Sequence, residues 1–151
     1  MKIVIADAER SHVPGIHAIE EECFSEPWTE QNIISQLPDE NHVFLVALSG
    51  ETVVGYVGMM TVLDEGYIAN VAVTSAFRRQ NIADLLIDEL VRRAQARDLS
   101  FVTLEVRESN APARALYEKH QFKTVGVRKN YYTKPKENAV LMTVYFKGEM
   151  I

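Results

Sequence analysis

The chain is poor in the features that mark several protein classes. It has one cysteine, Cys23, among 151 residues. No disulfide can form within it, which points to a reducing compartment. No apolar stretch is long enough to span a bilayer. The longest uncharged one runs from Thr52 to Leu63 and is interrupted by glycines, whereas a spanning helix needs about 20 residues. Behind Lys2, only Ile3 to Ala6 precede Asp7, too little for the apolar segment of a secretory leader. The expected location is the cytoplasm. No acidic or basic tail stands apart from the overall charge of −5, so neither direct nucleic-acid binding nor a membrane partner is expected.

Chemical motifs are missing too. There is no phosphate loop of the Gly-x-x-x-x-Gly-Lys type, no Gly-x-Ser-x-Gly nucleophile elbow, no dinucleotide fingerprint and no calcium loop. His12, His17, His42 and His120 are scattered and share no ligand spacing with Cys23, so no metal site is expected. What is present is a globular balance, 47% hydrophobic and 25% charged. It suits one domain over residues 1–151 with a sizeable core.

The periodicity suggests a mixed α/β fold. Lys2 to Ala6 forms a short strand. Ser11 caps a helix to about Cys23, and Thr29 caps a short one ended by Pro38. Three strands follow as an antiparallel meander: His42–Leu48, Thr52–Val62 and Tyr67–Val73, with turns at 49–51 and 64–66. Ile82, Leu86, Leu90 and Ala94 repeat every four residues, the mark of a helix, and strand Phe101–Val106 follows, completing a βαβ unit. Asn110 caps a last helix. Strands Phe122–Arg128 and Val140–Phe146 close the chain around a polar loop at 133–138.

Two places carry chemistry. Strand Tyr67–Val73 runs through Arg78 and Arg79 into a helix. Free N–H groups at such a helix start, with two guanidiniums beside them, can cradle a phosphate, although a solvated turn with two surface arginines would read the same. Further on, Glu105 interrupts the apolar alternation of its strand. A carboxylate there must be paired, hydrated or functional, and a salt bridge with Arg107 is one way to satisfy it. Tyr117 lies two turns beyond Asn110 on the same helix face.

The segment NVAVTSAFRRQNIADLLIDEL, Asn70 to Leu90, resembles the acetyl-CoA-binding motif of the GNAT superfamily. Its loop pattern is (Arg/Gln)-x-x-Gly-x-(Gly/Ala). The segment LEVRESNAPARALYEKHQF, Leu104 to Phe122, resembles one branch of that superfamily, the ribosomal-protein alanine N-acetyltransferases, as do CFSEPWT, Cys23 to Thr29, and VRKNYY, Val127 to Tyr132. The resemblance implies a GNAT-type fold and acetyl-CoA as co-substrate. It implies a cofactor site of Val71, Ala72, Val73, Arg78, Arg79, Gln80, Asn81, Ile82, Ala83, Asp84 and Asn110, with a β-bulge near Val71 to Val73 supplying an oxyanion donor. It makes Glu105 the general base and Tyr117 the general acid, with no covalent intermediate and no part for Cys23. Acceptor docking falls to Phe24, Trp28, Tyr131 and Tyr132. The acceptor is then a basic ribosomal protein's N-terminal alanine. Glu20, Glu21, Glu22 and Glu26, on or after the first helix, could attract it, although a solvated helix face explains them as well.

The chain departs from the pattern at Asn81, where the family usually has glycine. Asparagine is the next most tolerant of positive φ. Asp84 stands where relatives often have a basic residue, and Gln121 where they usually have glycine after the helix. Two other functions fit: a GNAT enzyme for other protein N-termini, lysines or a small amine, and an inactive acetyl-CoA-binding module.

Overall fold

The computed structural model describes residues 2–147; Met1 and residues 148–151, part of the expected 1–151 unit, lie outside them. The elements are β1 (Ile3–Asp7), α1 (Val13–Cys23), α2 (Glu30–Ile34), β2 (His42–Ser49), β3 (Thr52–Val62), β4 (Glu65–Val73), α3 (Ile82–Ala96), β5 (Phe101–Arg107), α4 (Ala111–Lys119), β6 (Lys123–Thr133) and β7 (Lys136–Tyr145). They form one seven-stranded sheet in the order β1-β2-β3-β4-β5-β7-β6. Only the β4–β5 pair is parallel, as the βαβ unit around α3 requires. No helix among the described residues is long and apolar enough to cross a membrane.

Helices cover both faces of the sheet, which explains the near-continuous apolar reading of β2. Val43, Leu45 and Ala47 pack with Leu86, Ile87 and Leu90 of α3. Phe44 and Val46 pack the other way, with Ile16 and Ile19 of α1 and Ile33 of α2. α1 lies close on β3: a Cβ added at Gly15 would stand 2.9 Å from the Val53 Cβ.

Several boundaries differ from expectation. Ser11 is not a cap. It sits in a 3-10 turn, Arg10–His12, where Glu9 and His12 exchange hydrogen bonds (Glu9 N–H donates to His12 Nδ1 at 2.9 Å), and α1 begins after it at Val13. The β3–β4 turn is only Leu63 and Asp64, so Glu65 and Gly66 already belong to the strand. The polar segment 133–138 is mostly strand, because Tyr132 pairs with Glu137 and Thr133 with Lys136. Gln121 does adopt a left-handed φ of 73° after α4, the conformation that costs a non-glycine residue about 1 kcal/mol.

Two irregularities shape the site. Pairing of β4 with β5 ends at Tyr67 and Thr103. Beyond that point no described strand pairs with the outer edge of β4, and the sheet opens. At the same level β4 bulges. Asn70 pairs with Gly58 and Ile68 with Met59, leaving Ala69 as an extra residue. The bulge reverses the alternation of side chains. Ile68, Val71 and Val73 face the α3 side, while Ala72 faces the α1 side and Asn70 meets Glu20 of α1. The bulge therefore lies at Ala69, not near Val71 to Val73 as the resemblance implied; the odd step from Ile68 to Val71 forces it there.

Candidate active site

A groove of about 1520 Å³ runs through the opening between β4 and β5. A second cavity of about 540 Å³ approaches from the α2 side, lined by Asn32, Ser35, Gln36 and His42. The two share Trp28, Ile68, Ala69, Asn70, Glu105, Tyr131 and Tyr132. They meet where the sheet parts.

The large groove gathers most of the expected cofactor residues. Val71, Ala72, Val73, Arg78, Arg79, Ala83, Asp84 and Asn110 line it; Gln80, Asn81 and Ile82 do not. The Ile82 side chain is buried in the core, so only its backbone is available to a ligand. Asn81 caps α3 in the left-handed region at φ 60°, and Arg79 precedes it at φ 65°. Asparagine thus takes the conformation for which glycine is the easy solution. The Arg78 Nε donates to the Val73 carbonyl at 3.1 Å, pinning the turn to the end of β4. Asn110 caps α4, its Oδ1 accepting from the Ala113 N–H at 3.2 Å.

Asp84 does not present a bare charge to the groove. Its Oδ1 lies 2.8 Å from His120 Nε2 and 3.1 Å from Lys119 Nζ. Although burial works the other way, the hydrogen bonds from His120 and Lys119 hold its carboxyl below the usual range. The pairing also joins α3 to the end of α4, a contact that spacing alone did not suggest.

Glu105 alternates out of the β5 core, away from Leu104 and Val106, and lies at the junction of the two cavities. Its neighbour is Arg128, with Nε 3.5 Å from Oε2, whereas Arg107 pairs with Glu137. Oε2 is buried and accepts no hydrogen bond among the described residues. Tyr117 borders the groove from α4 and is 5% exposed. Burial, then the nearby Tyr132, holds its hydroxyl well above the usual phenol range, so it stays protonated. Burial and then Glu105 push Tyr132 up to about 12.

Phe24 lines only the large groove, while Trp28, Tyr131 and Tyr132 line both cavities. Trp28 leans on Tyr56, with ring centroids 6.3 Å apart, and Arg107 stacks 4.3 Å over the Tyr132 ring. Cys23 also lines the large groove, but burial pushes its thiol up, away from the reactive thiolate.

The acidic residues are solvent-facing only in part: Glu21, Glu22 and Glu26 are exposed. Glu20 is wholly buried, because it follows Ile16 and Ile19 on the apolar face of the helix. Glu22 is tied to the turn after β4: its Oε1 accepts from Thr74 Oγ1 at 2.7 Å and its Oε2 from the Ser75 N–H at 2.8 Å. The Thr74 bond, then the Ser75 bond, lowers its pKa to about 2. A carboxylate lowered on folding adds stability above its ordinary pKa, and that contribution fades as pH falls through the folded value. Thermal melts of Glu22→Gln should therefore converge on the parent between about pH 5 and pH 2. A constant gap across that window would remove the proposed tie.

Residues 13–122 match the family described as Acetyltransferase (GNAT) family. Over 144 residues the chain is 31% identical to a putative ribosomal protein bS18-alanine N-acetyltransferase of Bacillus subtilis, covering 95% of each chain. It is 32% identical to the ribosomal protein bS18-alanine N-acetyltransferase of Haemophilus influenzae, covering 94% of this chain and 98% of that one. The crystal structure of the ribosomal-protein-S18-alanine N-acetyltransferase from Escherichia coli superposes with a TM-score of 0.89 at 28% identity, over 99% of this chain and 97% of the other. The chain belongs to the GNAT acetyltransferase family and is an acetyl-transferring enzyme whose acetyl donor is acetyl-CoA.

Proposed function

We propose that the enzyme acetylates the N-terminal amine of a protein that begins with alanine, and that this acceptor is a basic ribosomal protein in the cytoplasm. The observation that carries the reading is the meeting of two cavities at Glu105, where the sheet opens. The names of the relatives supply the acceptor.

The residues present fit acetyl-CoA. The turn at Arg79 to Asn81 leads into the start of α3, and Arg78, Arg79 and Ala83 line the groove there; free N–H groups of a helix start beside two guanidiniums are the donors a pyrophosphate requires. The unpaired edge of β4 offers backbone hydrogen bonds to an extended pantetheine arm. When bound, acetyl-CoA supplies an activated acetyl thioester.

Glu105 takes a proton from the ammonium of the acceptor, directly or through water, and so frees the lone pair that forms the N–C bond. What supports this role is that Glu105 lines both cavities where they meet. N–H groups of the open β4 edge that begins at Ala69 stabilise charge developing on the carbonyl oxygen. As the C–S bond breaks, Tyr117 donates a hydrogen bond to the sulfur. A phenol raised this far is a weaker acid than a thiol of pKa about 8.5. Its contribution is thus stabilisation of the thiolate; the nitrogen keeps two protons when the N–C bond forms, releases one as the amide forms, and that proton reaches the thiolate through water. Trp28, Tyr131 and Tyr132 hold the first acceptor residues.

Intact-mass spectrometry with acetyl-CoA and two peptides tests the reading. One peptide begins with free alanine; the other is blocked at its N-terminus and carries a free lysine. One acetyl group should appear on the alanine peptide alone. Acetylated lysine would overturn the acceptor class, and no transfer to either peptide would overturn the alanine reading.

Cofactor affinity gives a second expectation. Asn81 holds φ 60°, a conformation glycine adopts freely, and removing its side chain lets the backbone approach a ligand more closely. Asn81→Gly should lower the acetyl-CoA Kd about two- to fivefold in calorimetry, equivalent to about 0.4–1 kcal/mol. A higher Kd would mean that the asparagine side chain itself holds the ligand.

A further inference from the structure

We infer that Glu20 is a positioning residue for acetyl transfer: its buried carboxylate locks the Ala69 bulge and the Trp28 loop against each other. The inference rests on the transfer reading above and adds a residue to it. Glu20 has 0% exposure and lies on α1, behind the point where the cavities meet. A buried carboxylate is costly unless its oxygens are satisfied. Here they are. Oε1 accepts from the Trp28 N–H at 2.8 Å. Oε2 accepts from Asn70 Nδ2 at 3.0 Å and from the Tyr56 hydroxyl.

Two of these donors belong to the walls of the site. Trp28 and Asn70 line both cavities. Asn70 reaches Glu20 only because Ala69 is inserted ahead of it and reverses the alternation of β4. Sliding β4 by one residue would return the Asn70 side chain to the α3 side and leave Glu20 buried and short of a partner. The carboxylate therefore opposes loss of the bulge, and the bulge begins the open β4 edge. Through Trp28 the same group sets the loop between α1 and α2. Core packing alone would be served by any apolar residue at position 20; three converging donors from α1–α2, β3 and β4 would not.

Glu20→Gln is the direct test. An amide offers one acceptor oxygen where the carboxylate offers two, so either Trp28 or Asn70 loses its partner. The kcat for an alanine peptide should fall about tenfold or more, with the acetyl-CoA Kd changed less than about twofold. Asn70→Ala should lose kcat to a similar extent, and the double variant no further, because both act through one bond. Tyr56→Phe removes a hydrogen bond from the same oxygen but keeps the ring that packs against Trp28, and Tyr56 itself lines neither cavity. It should lower Tm while keeping kcat within about threefold. If Tyr56→Phe loses as much kcat as Glu20→Gln at equal loss of Tm, Glu20 is merely structural.

A readout independent of activity comes from Trp28, the one tryptophan in the chain. In Glu20→Gln, either its emission or the amide exchange of 69–71 should change; neither changing would overturn the inference. If Glu20→Gln does not fold, Asn70→Ala decides, through kcat and exchange at 69–71. If the parent enzyme transfers nothing to the alanine peptide, the acceptor reading falls, while emission and exchange still decide what Glu20 holds.

Discussion

Glu105→Gln should lower kcat for an alanine peptide by about 100- to 10,000-fold, the span of general base catalysis. The acetyl-CoA Kd should barely move. Glutamine keeps the shape of the side chain, and the Arg128 Nε at 3.5 Å is an ion pair at separation, not a hydrogen bond. What disappears is the capacity to take a proton at the junction of the cavities. An N-terminal amine of pKa about 8 is mostly protonated at neutral pH, so losing the base should fall on kcat more than on binding. Steady-state kinetics beside calorimetry separates the two. A variant within about threefold of the parent in kcat would transfer the role to another group or to solvent.

Leu86→Ala should destabilise the fold by about 2–5 kcal/mol. Leu86 is fully buried on α3 and packs onto β3 close to Gly55, whose added Cβ would lie 3.3 Å from Leu86 Cδ1. The surrounding strands cannot collapse into the space, because the other face of the sheet is held by α1. At this size about 1 kcal/mol moves Tm by about 2–4 °C, so a drop of about 4–20 °C is expected in thermal melts. The same helix begins at the Asn81 turn, so acetyl-CoA affinity should weaken in parallel. A loss under about 1 kcal/mol would mean that α3 is held chiefly by its C-terminal end, where Arg93 pairs with Asp7 and Arg97 donates to the carbonyls of Asp39 and Glu40.

The meander and the βαβ unit were legible because their periods are clean: strand pairs joined by short turns, then a four-residue repeat from Ile82 to Ala94. Glu105 stood out as a charge in an alternating strand. The bulge was written there too, since Ile68, Val71 and Val73 are spaced three and then two apart. An odd step inside a strand means an extra residue, but in an apolar run every position looks buried. Glu20 was hidden by its neighbours. In the run Glu20-Glu21-Glu22 only the helical phase of Ile16 and Ile19 distinguishes the buried one. Two of its three donors arrive from β3 and β4, and no local pattern announces them. Asp84 stood out only as an acid where relatives often have a base; its partners Lys119 and His120, at the end of α4, lie 35 and 36 residues away in sequence, beyond any local pattern. The strand pairing of 133–138 was obscured by polar residues that face solvent at a sheet edge.

The claim that most needs testing is that both cavities are occupied together and join at Glu105. A conjugate of coenzyme A linked through an acetyl bridge to the N-terminal nitrogen of an alanine peptide spans both. Calorimetry should show it binding about 100-fold or more tighter than acetyl-CoA or the peptide alone, since linking makes the second contact intramolecular. Binding no tighter than acetyl-CoA itself would show that the two cavities are not one path, and direct transfer at Glu105 would have to be abandoned.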